Sequence, residues 1–112
     1  MTSVFDIKSM MKVIATQHPN LKAECFYMDD AFVRPICLVG HALHQLGVKV
    51  PRDGNMERFR TLIQDGMIDL DIDVQDSEQY EAMMWIDRAQ RAQDRGRSWG
   101  EALEMTHEAY GP

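Results

Sequence analysis

At 112 residues, 45% hydrophobic and 27% charged, the chain has the size and composition of one globular domain spanning 1–112, too short for two separate cores. No apolar run nears the ~20 residues that span a bilayer, and Met1 to Lys12 lacks the basic-then-apolar pattern of a secretory leader. The expected setting is therefore cytoplasmic, with no membrane partner and with Cys25 and Cys37 as reduced thiols rather than a disulfide framework.

The net charge of −6 is unevenly spread. Residues 1–64 hold eight Lys/Arg against six Asp/Glu; residues 65–112 hold four against twelve. Asp65 to Glu81 carries seven carboxylates and no cation. Phosphate backbones repel such a surface, which argues against nucleic acid; an acidic face can instead meet a basic patch on another protein, though most such faces are simply solvated.

Ser3 and Asp6 form a variant capping box, and Val4, Ile7, Met10, Met11 and Ile14 recur at helical spacing. The first helix is predicted from Val4 to Gln17, stopping before Pro19. From Glu24 to Arg34, Cys25-Phe26-Tyr27-Met28, then Asp29-Asp30, then Ala31-Phe32-Val33 reads as a β-hairpin. Pro35 suits the first position of a second helix and Gly47 the left-handed residue after its last turn. Gly40 sits inside that helix, where a missing side chain points to close approach by a backbone or a ring.

A Pro51-Arg52-Asp53-Gly54 turn leads to a third helix, from about Asn55 to Gln64, with Met56, Phe59, Leu62 and Ile63 inward. Between Met67 and Val74, Ile68, Leu70, Ile72 and Val74 alternate with Asp69, Asp71 and Asp73. Strict period two fits a strand with one acidic face; the poor strand propensity of aspartate fits an extended loop that tucks its aliphatics inward. Asp76 or Ser77 then caps a long helix to about Arg95, with Ala82, Trp85, Ile86, Ala89 and Ala92 on one side and Gly96 as its break. Ser98-Trp99-Gly100-Glu101 is a second capping box, opening a last helix striped by Trp99, Ala102, Leu103, Thr106 and Tyr110. The predicted fold is α+β: about five helices and a short β-hairpin.

Two segments carry a resemblance. Cys25-x-Tyr27 with Pro35-x-Cys37-Leu38-Val39-Gly40-x-x-Leu43-x-x-Leu46-Gly47 is one. Trp85-Ile86-x-x-Ala89-Gln90-x-x-Gln93-Asp94-x-Gly96-x-x-Trp99-Gly100-x-Ala102-Leu103 is the other. Together, over residues 24–47 and 80–104, the chain resembles a group of small uncharacterised proteins of actinobacteria and the bacteriophages that infect them. The resemblance implies a phage-encoded accessory protein acting on a host or phage protein, and implies no activity.

Chemistry-bearing residues gather at one place. Cys37, His41 and His44 fall on one helical face and Cys25 lies upstream, the right donors for tetrahedral zinc or for a thiol assisted by an imidazole. A rise of about 1.5 Å per residue separates the Cys37 and His44 backbones by ~10 Å, too far to share an ion easily. No third group is in sequence position to orient His41. These four are read as packing, with a metal- or thiol-dependent protein as the alternative, and no cofactor is expected. Asp69-Leu70-Asp71-Ile72-Asp73 opens like a calcium loop but puts Val74 and Tyr80 where glycine and glutamate are needed.

The remaining features suit docking rather than catalysis. Arg88, Arg91 and Arg95 follow i, i+3, i+7 and can meet a carboxylate-rich surface, including Asp69, Asp71 and Asp73 of a second copy. Pairing with Asp87, Asp94 or the acidic stretch of the same chain is the plainer reading. Of Met10-Met11 and Met83-Met84, helical geometry buries one member of each pair and turns the other outward. Met10, Met84, the three arginines and the three aspartates are thus the candidate partner-binding residues of a non-enzymatic, homodimeric interaction module.

Overall fold

A computed structural model describes residues 3–21, 38–48, 59–64, 66, 68, 70, 72–73 and 75–111. The order is α1 (Val4–Gln17), α2 (Leu38–Gln45), α3 (Phe59–Gln64), α4 (Ser77–Asp94) and α5 (Trp99–Tyr110). Helices take 74% of the described residues and none of those residues is in a strand, so the α+β expectation is overturned in favour of a helical fold. The hairpin over Glu24–Arg34, the Pro35–Cys37 start of the second helix and the turn at Pro51–Gly54 lie outside the described residues.

The alternating segment follows the extended-loop alternative. The Leu70 N–H bonds back to the Ile68 carbonyl at 2.9 Å, and the Asp73 N–H bonds to Gln79 Oε1 at 3.0 Å. Donors that a ladder would need are spent locally. Ile68 is buried and Leu70 and Ile72 lean on the core, as in the extended-loop reading.

The helix ends follow the sequence signals. Ser3 and Asp6 bond reciprocally at 2.9 and 3.2 Å, and Ser98 and Glu101 do so at 3.2 and 3.2 Å. Asp76 Oδ1 accepts from Glu78 N–H at 2.9 Å to start α4. These hydrogen bonds with Gln79 and Glu78 hold the Asp76 carboxyl below its ordinary range. At the other ends, Gly47 (φ 74°) and Gly96 (φ 91°) take the left-handed conformation. Val48 N–H reaches Leu43 O at 2.9 Å and Arg97 N–H reaches Ala92 O at 3.3 Å, each closing a Schellman turn that satisfies the last carbonyls.

α4 is the centre, in contact with all four other helices. Val4, Ile7, Met11 and Ile14 of α1, Leu38, Val39 and Leu43 of α2, Phe59 and Leu62 of α3, and Trp99 and Leu103 of α5 join its Met83, Trp85, Ile86 and Ala89 in one core cluster. Two buried glutamines on α4 bind the other helices by their first residues. Gln93 Oε1 accepts from Leu38 N–H at 2.6 Å, and Gln90 Oε1 accepts from Phe59 N–H at 2.8 Å. Each supplies a partner to one of the N–H groups that a helix start leaves unpaired.

The start of α5 is met in the same way from the chain after α1. Trp99 N–H donates to Leu21 O at 2.8 Å and Gly100 N–H to Pro19 O at 2.9 Å. A Cβ on Gly100 would lie 3.0 Å from that Pro19 oxygen, so any other residue there would have to push Pro19 back by a few tenths of an ångström.

Candidate functional site

Between Ala82 and Gln93, nine residues of α4 are buried, and only Met84, Arg88 and Arg91 reach the surface. With exposed Tyr80 and Arg95 they form one row, at spacings of four, four, three and four, along the outer side of the helix. Successive residues of that spacing stand above one another on a helix. Four of the eight sequence-derived partner-binding candidates, Met84, Arg88, Arg91 and Arg95, are thereby brought together.

The row is chemically graded. At its N-terminal end Tyr80, Glu81 and Met84 join Ala109 and Tyr110 of α5 around a hollow of about 350 Å³. A second hollow, of about 230 Å³, adjoins it across Glu81 and Tyr110 and is lined by Phe5, Lys8, Glu78 and Trp85. Phe5, Tyr80 and Tyr110 are 44%, 42% and 48% exposed around these hollows. Trp85 forms the floor. Its Nε1–H donates to Gly111 O at 3.0 Å, and the Lys8 and Lys12 ammonium groups lie 5.1 and 5.7 Å from its ring centroid. Burial, then Lys12, lower the Lys8 pKa, while Glu81 acts to raise it.

Toward the C-terminal end the row is cationic. Arg60, from α3, brings Nη1 to 4.0 Å from the Met84 sulfur. The side chains of Arg88, Arg91 and Arg95 make no ion pair or hydrogen bond among the described residues. The intramolecular pairing with Asp87 or Asp94 favoured from sequence is therefore not formed there. Asp87 is buried within α4. Asp94 accepts from Gln93 Nε2 at 3.3 Å, and burial holds its carboxyl above the usual carboxylate range, opposed by that bond and assisted by Asp87.

The other candidates are dispersed. Met11 and Met83 are fully buried; Met10 and Met84 are the outer members of their pairs, Met10 leaning on the core from α1. Asp73 shapes the approach to α4, its Oδ1 accepting from Gln75 N–H at 2.9 Å. Asp69, Asp71, Cys25 and Cys37 lie outside the described residues. The His41 ring meets Trp99 edge-on at 5.1 Å, and burial, then His18 and His44, lower its pKa. His44 is exposed. Among the described residues no three His, Cys, Asp or Glu side chains are grouped to hold a metal ion.

Sequence reasoning missed Tyr80, Glu81, Tyr110 and Phe5 as surface groups. Stepping back by four from Met84 reaches Tyr80, so the row was available in the spacing. Phe5 and Tyr110 lie far apart in sequence and only the packing of α1 and α5 against α4 unites them. Comparison with protein-family models, with curated proteins and with solved structures finds no match to this chain.

Proposed function

We propose that the chain is a protein-interaction module that works by docking and transforms no substrate, with the outer row of α4 as its docking face. One observation supports this above the rest. Between Ala82 and Gln93 the central helix shows solvent a single stripe, which with Tyr80 and Arg95 at its ends carries a methionine, a tyrosine and three guanidinium groups with no partner among the described residues. Arginine, tyrosine and methionine are the side chains that interfaces favour, because each combines apolar contact area with a polar or adaptable tip.

The resemblance to phage and actinobacterial proteins suits an accessory protein that acts on a host or phage protein in the cytoplasm. No described helix is long and apolar enough to cross a membrane.

The test is a photoreactive residue introduced at position 84, with Val13 on α1 (51% exposed) as the control position. In cells, position 84 should give a discrete cross-linked species that Arg91→Glu abolishes, and position 13 should give none. Equal yields at the two positions, or no species at all, would overturn the assignment.

A further inference from the structure

We infer that the occupant of the α4 row is a second copy of this chain, laid antiparallel with the two-fold axis passing at Met84. The inference deepens the docking reading and rests on it.

The argument is the distribution of charge about Met84. Glu81 stands three residues before it and Arg88 four after. A two-fold axis brings residues equally distant from the pivot to the same height on facing helices. At about 1.5 Å of rise per residue, Glu81 falls within ~1.5 Å, along the axis, of the other copy's Arg88. Glu81 and Arg88 also lie on the same flank of the row, which a two-fold axis perpendicular to the helices preserves.

Parallel alignment would instead set arginine against arginine. Met84 meets its own image at the pivot, where an unbranched thioether adapts to self-contact. Each copy thus offers Glu81 to the Arg88 that the other leaves without a partner among its described residues. About an axis at Met84 the two α4 helices overlap over residues 77–91, a contact about 22 Å long, which places the association among small, reversible interfaces sensitive to salt.

Sedimentation velocity of the purified full chain over a concentration series tests this. The mass should rise from 12.9 kDa toward its double and fall back with added salt. Glu81→Arg alone and Arg88→Glu alone should each weaken association by about tenfold or more, because each sets like charges face to face twice. Mixed together, the two variants should associate as the wild type does, since every pair in the mixed dimer again joins opposite charges. Their melting temperatures should match the wild type, which separates an interface effect from misfolding.

A monomer at all concentrations would overturn the inference, as would single variants that dimerise normally or a mixture that fails to recover. A monomeric chain that still cross-links at position 84 would remove the second copy while leaving the docking face in place. Loss of both results would remove both.

Discussion

The inner and outer sides of α4 differ in how completely their polar groups are used. On the inner side Gln90 and Gln93 are 3% and 1% exposed, and each spends its carbonyl oxygen on the first N–H of another helix. On the outer side Arg88, Arg91 and Arg95 carry full charges and bond to nothing among the described residues. A buried acceptor that loses its partner, or strands one, costs the full desolvation of the group; an exposed cation is paired with water and costs nothing. The same helix therefore serves as a structural hub on one side and as free recognition surface on the other, and substitutions should separate the two.

The largest effects belong to the two tryptophans of the core. Trp85→Ala and Trp99→Ala should each lower the unfolding free energy by ~3–5 kcal/mol in denaturant titrations, by loss of buried area and by the space left behind. A finer contrast comes from phenylalanine. Trp85→Phe forfeits the bond to the Gly111 carbonyl, whereas Trp99→Phe removes a buried Nε1–H that has no acceptor. Trp85→Phe should be the costlier of the two. The reverse order would mean that His41, edge-on to Trp99, contributes more than its contact geometry suggests.

Next come the glutamines. Gln93→Leu keeps the volume but strands the Leu38 N–H, and Gln90→Leu does the same to Phe59; each should cost about 1–3 kcal/mol. Arg91→Leu, two residues before Gln93 but on the outer side, should change stability by less than about 0.5 kcal/mol. Equal effects at positions 91 and 93 would erase the distinction between the sides.

The glutamines also mark where the sequence stopped being readable. Capping boxes at Ser3 and Ser98 and the terminal glycines 47 and 96 are local signals, fixed by residues within one turn, and they placed the helix ends well. Gln90 and Gln93 act over 31 and 55 residues, and a polar residue on a helix reads by default as solvated. A faint trace existed, because Ala82, Ile86, Ala89 and Gln93 share one helical stripe. Near Ile68 the letters left strand and loop both open for the opposite reason. Alternation reports which side chains turn inward, and a loop that tucks its aliphatics against a core produces the same record as a ladder. Of the site, the arginine spacing was legible; the aromatic hollow beside it was not, since it depends on the termini of α1 and α5 meeting over Trp85.

A smaller effect should appear in pH dependence. Burial, with His18 and His44 nearby, holds the His41 pKa below its ordinary 6.5. As pH falls, the unfolded chain takes up that proton first, so the stability linked to a neutral His41 is full above 6.5 and declines below it until the folded form also protonates. Denaturant titrations from about pH 8 to about pH 5 should show the decline, and His41→Gln should flatten it over the upper part of that range. An unchanged slope would assign the loss to groups other than His41.

The smallest expected change in stability is the one that bears most on function. Arg88→Glu places a carboxylate four residues after Met84 and one after buried Asp87, on a face where the wild-type guanidinium makes no intramolecular bond. If the outer side is free surface, the melting temperature should move by no more than a degree or two, the scale of an exposed substitution. A large loss would show that Arg88 neutralises Asp87 or the buried end of Asp94 through space, and that the row is part of the scaffold. Near-neutrality in the fold together with a defect in association is the signature that only a surface held for a partner produces, because no intramolecular role accounts for both.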